Sequence, residues 1–179
     1  MHFPIFIELA NCPCLVVGGG SVAVRKAEML REFGGVVTVV APVLNGQDDR
    51  WVRREFEDRD VEGQSLVVAA TDDRALNAHV AELCKARGIP VNVVDDPKNC
   101  TFIFPAVVRK GPMTVAVSSG GACPVAAKLV RDRVAGALPD DFVAAVERLG
   151  KERENLKRNY PDPQVRRRVC EEALKRWKD

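Results

Sequence analysis

Four short apolar runs punctuate the first hundred positions: "CLVV" at Cys14–Val17, "VVTVV" at Val36–Val40, "LVVAA" at Leu66–Ala70 and "VNVV" at Val91–Val94. None alternates with polar residues as a strand wetted on one side does, so each predicts a strand buried on both faces. The stretches between them supply the covers. Ala23, Ala27 and Leu30 share one face of a helical segment, and Leu76, Val80 and Leu83 share a face of another that stops at Gly88. Apolar strands alternating with amphipathic helices predict an α/β chain with a doubly wound parallel sheet. "WVRREFE" alternates weakly and predicts a short edge strand. "MHFPIFIEL" lacks a basic leader and a small-residue cleavage site and predicts a first strand instead of a signal peptide.

Near residue 110 the rhythm changes. "TFIFPAVVRKGPMTVAVSS" predicts two strands joined by a tight turn at Lys110-Gly111-Pro112. Helical patterns follow over Val125–Ala137, Asp140–Tyr160 and Pro163–Trp177, the second with Phe142, Val146 and Leu149 on one stripe, compatible with a dimer contact. The domain boundary is placed at this change.

Charge and cysteine usage narrow the function classes. A formal net charge of +2 argues against a dedicated nucleic-acid binder, although Lys151–Asp179 holds ten lysines and arginines against six acidic residues. No run reaches the ~18 apolar residues of a membrane helix. Six scattered cysteines in a chain of 179 residues predict reduced thiols in a cytoplasm. Cys12-Pro13-Cys14 is not a zinc spacing, and with two histidines no structural metal is expected.

The first apolar run leads into Gly18-Gly19-Gly20 and then into a helix. Gly18-x-Gly20-x-x-Ala23 fits the dinucleotide fingerprint: one glycine for the tight bend, a second so that backbone approaches a pyrophosphate, a small third residue for helix-on-strand packing. The helix N-terminus then offers free N–H groups and the positive end of its dipole. The carboxylate that grips the ribose at the end of the second strand is missing. Ala41-Pro42-Val43 stands there, and no acid follows until Asp48, so spacing does not separate NAD from NADP.

In order, the chain reads Gly18-Gly19-Gly20, Ala23-x-Arg25-Lys26, "VTVVAP", "AATDD", "NVVDDP", "FIFPA" and "VAVSSGGACPVAA". This series resembles the precorrin-2 dehydrogenase family, the first module of siroheme synthase, over nearly the whole length. The resemblance implies a Rossmann domain (1–110), a small α+β dimerisation domain (111–150) and a C-terminal helical segment (151–179). It implies NAD-dependent oxidation of precorrin-2 to sirohydrochlorin by a homodimer without nucleic-acid or membrane partners. Some members also insert ferrous iron as a second substrate, and nothing in the sequence separates the two cases. These 179 residues hold no counterpart of the long methyltransferase module of the fused enzymes, and the resemblance therefore predicts a free-standing form.

Site residues follow from the same resemblance. Gly18, Gly20, Ser21 and Val22 would hold the pyrophosphate, Pro42 and Val43 would flank the adenosine, and Thr71 and Asp72 would line the crevice. Asp95 corresponds to the catalytic aspartate. By pattern alone, Asp95-Asp96 equally fits a turn opening before Pro97. Ser118, Ser119, Gly120 and Gly121 correspond to the substrate loop. Their glycines ahead of Pro124 suit a nest of N–H groups for substrate carboxylates or, more plainly, a helix cap. Cys123 stands where the family commonly has serine or threonine. Arg25 lies on the outer face beside Glu28 and Glu32, suited to an exposed ion pair, and Lys26 lies nearer the packing edge, within reach of a phosphate or a substrate acid. His79 reads as a surface residue. A reading of another class is a nicotinamide-sensing module with a basic tail at Arg166-Arg167-Arg168, binding DNA in a salt-sensitive way; no helix-turn-helix pattern supports it.

Overall fold

The computed structural model describes residues 2–47 and 49–177. Asp48, the first acid after the second strand, lies outside them. The chain divides into two compact units between Phe104 and Pro105.

In the first unit, β1 (Pro13–Val17) lies at the centre of a five-stranded sheet with β2 (Val36–Val40), β3 (Trp51–Val52), β4 (Leu66–Ala69) and β5 (Val91–Val93). The order is β3-β2-β1-β4-β5 and every pairing is parallel. β1 pairs with β2 on one side and β4 on the other, Val17 standing opposite both Val40 and Ala69. The winding therefore reverses beside β1, and the end of that strand is the switch point where open α/β sheets place ligands.

Period-two alternation divides the core between the two faces of the sheet. Cys14 and Val16 of β1 join Val37, Val39, Leu66 and Val68 beneath α1 (Ser21–Glu32), which buries Ala23, Ala27 and Leu30 as its spacing predicts. Leu15 and Val17 join Val40, Val67, Ala69 and Val91 beneath α2 (Arg74–Ala86) and a 3-10 turn at Asp58–Val61. On α2 the buried face is rotated from the expected one. Asn77, Val80, Ala81 and Cys84 are buried, while Leu76 and Leu83 pack at its margins. Burial pushes the Cys84 thiol up to about 11, and all six cysteines are free.

One expectation fails in this unit, and another is met by a shorter element than its pattern spans. Residues 2–9 form no strand, and Phe3, Ile5, Phe6 and Ile7 are exposed. β1 is flanked on both edges by β2 and β4, which leaves no edge there for a further strand. "WVRREFE" contributes only the two-residue β3 at the sheet edge; its remainder leads into the 3-10 turn.

In the second unit, β6 (Ala106–Lys110) and β7 (Met113–Val117) form an antiparallel hairpin turning at Gly111, whose φ is 52°. Then come α3 (Pro124–Gly136), α4 (Asp140–Lys151), α5 (Arg153–Asn159) and α6 (Pro163–Ala173). The single helix expected over 140–160 is broken at Glu152, which ends α4 and begins α5. The last helix stops at Ala173, and Lys175–Trp177 is a 3-10 turn. Part of the α4 stripe is used within the chain: Phe142 meets Trp177 edge-on with ring centroids 5.5 Å apart. Val146 and Leu149 line a groove of about 440 Å³ with Leu156, Pro163 and several arginines. Two arginines of the tail run are already engaged: Arg166 donates to the Tyr160 and Pro161 carbonyls, and Arg167 pairs with Glu171. No helix among the described residues is long and apolar enough to cross a membrane.

The 3-10 turn that covers one face of the sheet is pinned by a bidentate pair. Arg54 donates to both oxygens of Asp60 at 2.8 and 2.6 Å, and Asp60 also caps Glu57 N at 2.9 Å. The Arg54 guanidinium holds the Asp60 carboxyl below the usual aspartate range. The stabilisation is complete above the unfolded pKa near ~3.9 and is lost as pH falls through the lower folded value, because unfolding then takes up a proton. Asp60→Asn is expected to lower the urea midpoint at pH 7 and to flatten its decline toward pH 3. An equal decline in both proteins would show that the pair does not contribute.

Candidate active site

Three chain crossings meet at the end of β1. Gly18 has φ 121°, a region that L side chains rarely adopt, and a Cβ there would stand 2.3 Å from the Ala70 carbonyl oxygen. A Cβ on Gly19 would stand 1.8 Å from the Val43 oxygen. The bend is closed by Gly18 N donating to Val40 O at 2.9 Å, Ala70 N to Val17 O at 2.8 Å and Asn45 N to Gly19 O at 2.7 Å. Gly19, the unspecified position of the fingerprint, is thus as constrained as Gly18, because the chain leaving β2 passes directly over it. Only close packing shows this.

Gly20 differs. Its φ of −71° suits any residue, and a Cβ on it would meet nothing within 4 Å. Space beside Gly20 opens toward the N-terminus of α1, where no side chain caps the helix and the first turn holds no acid. The first N–H groups of a helix have no intrahelical partner, so those of exposed Ser21 and half-buried Val22 are offered to whatever occupies the space. α2 begins nearby and is closed: Asp73 caps it, accepting from Ala75 N at 2.8 Å and Leu76 N at 3.1 Å. One helix start is left for an anion and the other is satisfied by its own chain. An open cradle with free donors fits a dinucleotide pyrophosphate.

The walls of this crevice are the loops that follow β2 and β4. Pro42 and Val43 are exposed, Val43 at 74%. Thr71 is locked in place: its N and Oγ1 donate to Asn77 Oδ1 at 3.2 and 2.7 Å, and Asn77 Nδ2 donates back to Thr71 O at 2.9 Å. Asn77 is 5% exposed. Its positioning role is invisible in the sequence, where it is one polar residue in an amphipathic helix. Asp72 is exposed and makes no hydrogen bond or ion pair with a described residue.

Asp95 follows β5 at the same carboxyl edge. It sits in the left-handed region with φ 59°, within a turn closed by Asp96 N donating to Val93 O at 3.3 Å. Non-glycine residues held this way cost of order 1 kcal/mol and cluster at functional sites. Cys100 braces the turn: its Sγ accepts from Val93 N at 3.2 Å and lies 3.2 Å from Val93 O and 3.3 Å from Asp96 O. Asp96 accepts from Asn99 at 2.8 Å. The Asp95 carboxylate is exposed and engages no described residue. Asp96 is structural and Asp95 is left over.

Ser118, Ser119, Gly120 and Gly121 lie in the second unit, in a loop with positive φ at both glycines. The serine oxygens accept locally, Ser118 Oγ from Gly120 N and Ser119 Oγ from Cys123 N, each at 3.0 Å, which leaves each hydroxyl hydrogen to donate. Ala122 N donates to Ser119 O, so three of the expected nest donors are engaged. Ser119 does the capping that Cys123, itself without a side-chain cap bond, does not. The ion pair expected of Arg25 does not form; Arg25 points away from α1's packed face and engages no described residue. His79 Nε2 lies 2.7 Å from Asp58 Oδ1, an exposed pair. Among the described residues no three His, Cys, Asp or Glu side chains gather to hold a metal.

Residues 5–106 match a family model described as "Putative NAD(P)-binding". The chain belongs to that family. Residues 110–137 match a second model, "Sirohaem biosynthesis protein central". The siroheme synthase of Methylococcus capsulatus is 45% identical over 97% of this chain and 38% of its own length. That of Pseudomonas entomophila is 41% identical over 97% and 39%. The chain thus spans about two-fifths of the length of these curated relatives. A solved structure titled "SirC, precorrin-2 dehydrogenase" superposes with a TM-score of 0.77 over 97% of this chain and 89% of its own, at 22% identity, and so shares the fold.

The glycines separate folding from binding. Gly19→Ala is expected to lower the thermal midpoint markedly, since its Cβ collides with backbone. Gly20→Val is expected to melt near wild type, yet to bind NADH at least about tenfold more weakly in a fluorescence titration, by filling the cradle. Unchanged NADH affinity in Gly20→Val would place the dinucleotide elsewhere.

Proposed function

We propose that this chain dehydrogenates precorrin-2 to sirohydrochlorin with NAD, working as a homodimer in the cytoplasm. One observation carries the reading: an unengaged carboxylate, Asp95, is presented at the carboxyl edge of the sheet whose switch point offers an uncapped helix and an open glycine cradle. The printed names of the relatives, siroheme synthase and precorrin-2 dehydrogenase, support the substrate class. The free thiols support a reducing compartment.

When bound, NAD supplies the hydride acceptor. The chain's own residues do the rest. Gly18 and Gly20 let backbone approach the diphosphate, and the N–H groups of Ser21 and Val22 offset its charge. Pro42 and Val43 flank the adenosine, and Thr71 and Asp72 line the crevice, Thr71 held by Asn77. As a C–H hydride leaves the substrate, one proton is also released; the Asp95 carboxylate accepts it and, being exposed, returns it to solvent. Ser118–Gly121 receives substrate carboxylates through the hydroxyls and the Gly121 N–H. Ferrous iron is a second substrate in some members of the resembled family.

Incubation with precorrin-2 and NAD is expected to yield NADH and sirohydrochlorin. Asp95→Asn should keep NADH affinity and lose roughly 10²- to 10⁴-fold in kcat. A folded, NADH-binding wild type that forms no NADH from precorrin-2 would overturn the reading. Repeating the assay with ferrous ion measures metal insertion directly.

The domain assignment is part of the same proposal, with 111–150 as the dimerisation domain and 151–179 as a helical segment. α3 supports it, since Val125, Leu129 and Val130 are exposed at 65, 59 and 46% on one helix, an apolar face that a second copy would cover. Sedimentation is expected to give a dimer for wild type and a monomer for Leu129→Glu; a monomeric wild type would remove the dimer.

A further inference from the structure

Arg25 and Lys26 are the part of the glycine-loop motif for which the dinucleotide provides no use. Lys26 lies half-buried on the second turn of α1, its Nζ 3.6 Å from the centroid of the Phe104 ring. Phe102 meets Phe104 with centroids 5.2 Å apart. The charged and titratable groups acting on the ammonium are Arg25 on its own helix and the Cys100 thiol. No carboxylate pairs with it, and Lys26 makes no hydrogen bond or ion pair with a described residue.

A half-buried ammonium held by a ring face and repelled by a neighbouring guanidinium lacks a counter-anion. Burial, then Arg25, push its pKa down to about 8. Its location points to the missing partner. Val94, Phe102 and Phe104 all pack on the cluster that Ala23 and Ala27 of α1 bury, and Val94 immediately precedes Asp95. Lys26 therefore stands over the segment that leaves the Asp95 turn, with its ammonium on Phe104 and not on the phosphate loop.

We propose that Lys26 is a substrate-recognition residue whose ammonium receives a carboxylate of the tetrapyrrole oxidised beside Asp95. This assignment rests on the reaction proposed above and supplies it with a specificity contact in the first unit. Arg25, exposed and unengaged, adds positive potential to the same approach. An anion binds the protonated amine, so affinity falls as pH rises through and beyond about 8. Arginine at this position stays charged throughout that range.

The test titrates sirohydrochlorin and, separately, NADH into wild type, Lys26→Met and Lys26→Arg, and measures kcat and KM for precorrin-2. Methionine keeps an unbranched apolar stem over Phe104 and removes only the charge. Lys26→Met is expected to bind sirohydrochlorin about tenfold more weakly and to raise KM similarly, with kcat and NADH affinity little changed. Lys26→Arg should restore binding and abolish its loss between about pH 7 and 9. Unchanged sirohydrochlorin affinity in Lys26→Met would overturn the proposal. Weakened NADH binding with normal tetrapyrrole binding would overturn it too, assigning the lysine to a phosphate. A wild type that binds sirohydrochlorin without forming NADH defeats the reaction while the Lys26 contact is still read from binding; one that binds no tetrapyrrole defeats both.

Discussion

The carbonyl oxygens of Ala70 and Val43 stand where side chains on Gly18 and Gly19 would have to go. That crowding brings the ends of β1, β2 and β4 together, with hydrogen bonds tying Gly18 to Val40 and Ala70 to Val17. Because the sheet order reverses at β1, the loops after β2 and β4 diverge from this point and leave a crevice between them. α1 starts at its mouth with donors unspent. The first unit's chemistry descends from this contact, since a residue larger than glycine at either position would push the loops apart.

Each wall of the crevice is made rigid by groups that do no chemistry. Asn77 spends its amide on Thr71, Asp73 closes α2, and Cys100 with Asn99 fastens the turn beneath Asp95. Beside them Asp72, Asp95 and Arg25 engage no described residue, and Lys26 meets only the face of the Phe104 ring. A well-bonded frame holds such charges apart at the carboxyl edge of the sheet, where open α/β sheets place ligands. The second unit spends its polar groups differently. Its serine–glycine loop is knitted internally, and its tail arginines are partly engaged with carbonyls and glutamates, which counts against the basic run as a free nucleic-acid patch.

Much of this was legible in the residues. The apolar runs became β1, β2, β4 and β5, and the Ala23/Ala27/Leu30 stripe became the buried face of α1, because period and composition report burial directly. The glycine fingerprint marked the bend after β1, and the ordered motifs raised Asp95 as the candidate at the carboxyl edge. Less was legible where local pattern met long-range geometry. "MHFPIFIEL" has strand composition, but both edges of β1, the strand that follows it, are taken by β2 and β4. Asp140–Tyr160 reads as one helix because Glu152 is an ordinary helix former, and the break shows only in the backbone. Asn77 and Cys100 carry no pattern at all, since what matters is the partner each meets six or seven residues away in the chain but adjacent in space.

By itself the sequence determined the four apolar strands β1, β2, β4 and β5, which face of α1 is buried and where the chain bends on glycine, because those depend on periodicity and on backbone freedom. Only the tertiary structure decided that Gly19 is as sterically necessary as Gly18, that α1 stays uncapped while α2 does not, and that Asp95 and Lys26 meet no hydrogen-bonding or ion-pairing partner among the described residues. Those outcomes depend on which atoms arrive at one place from separate parts of the chain, and no local pattern of residue types encodes that meeting.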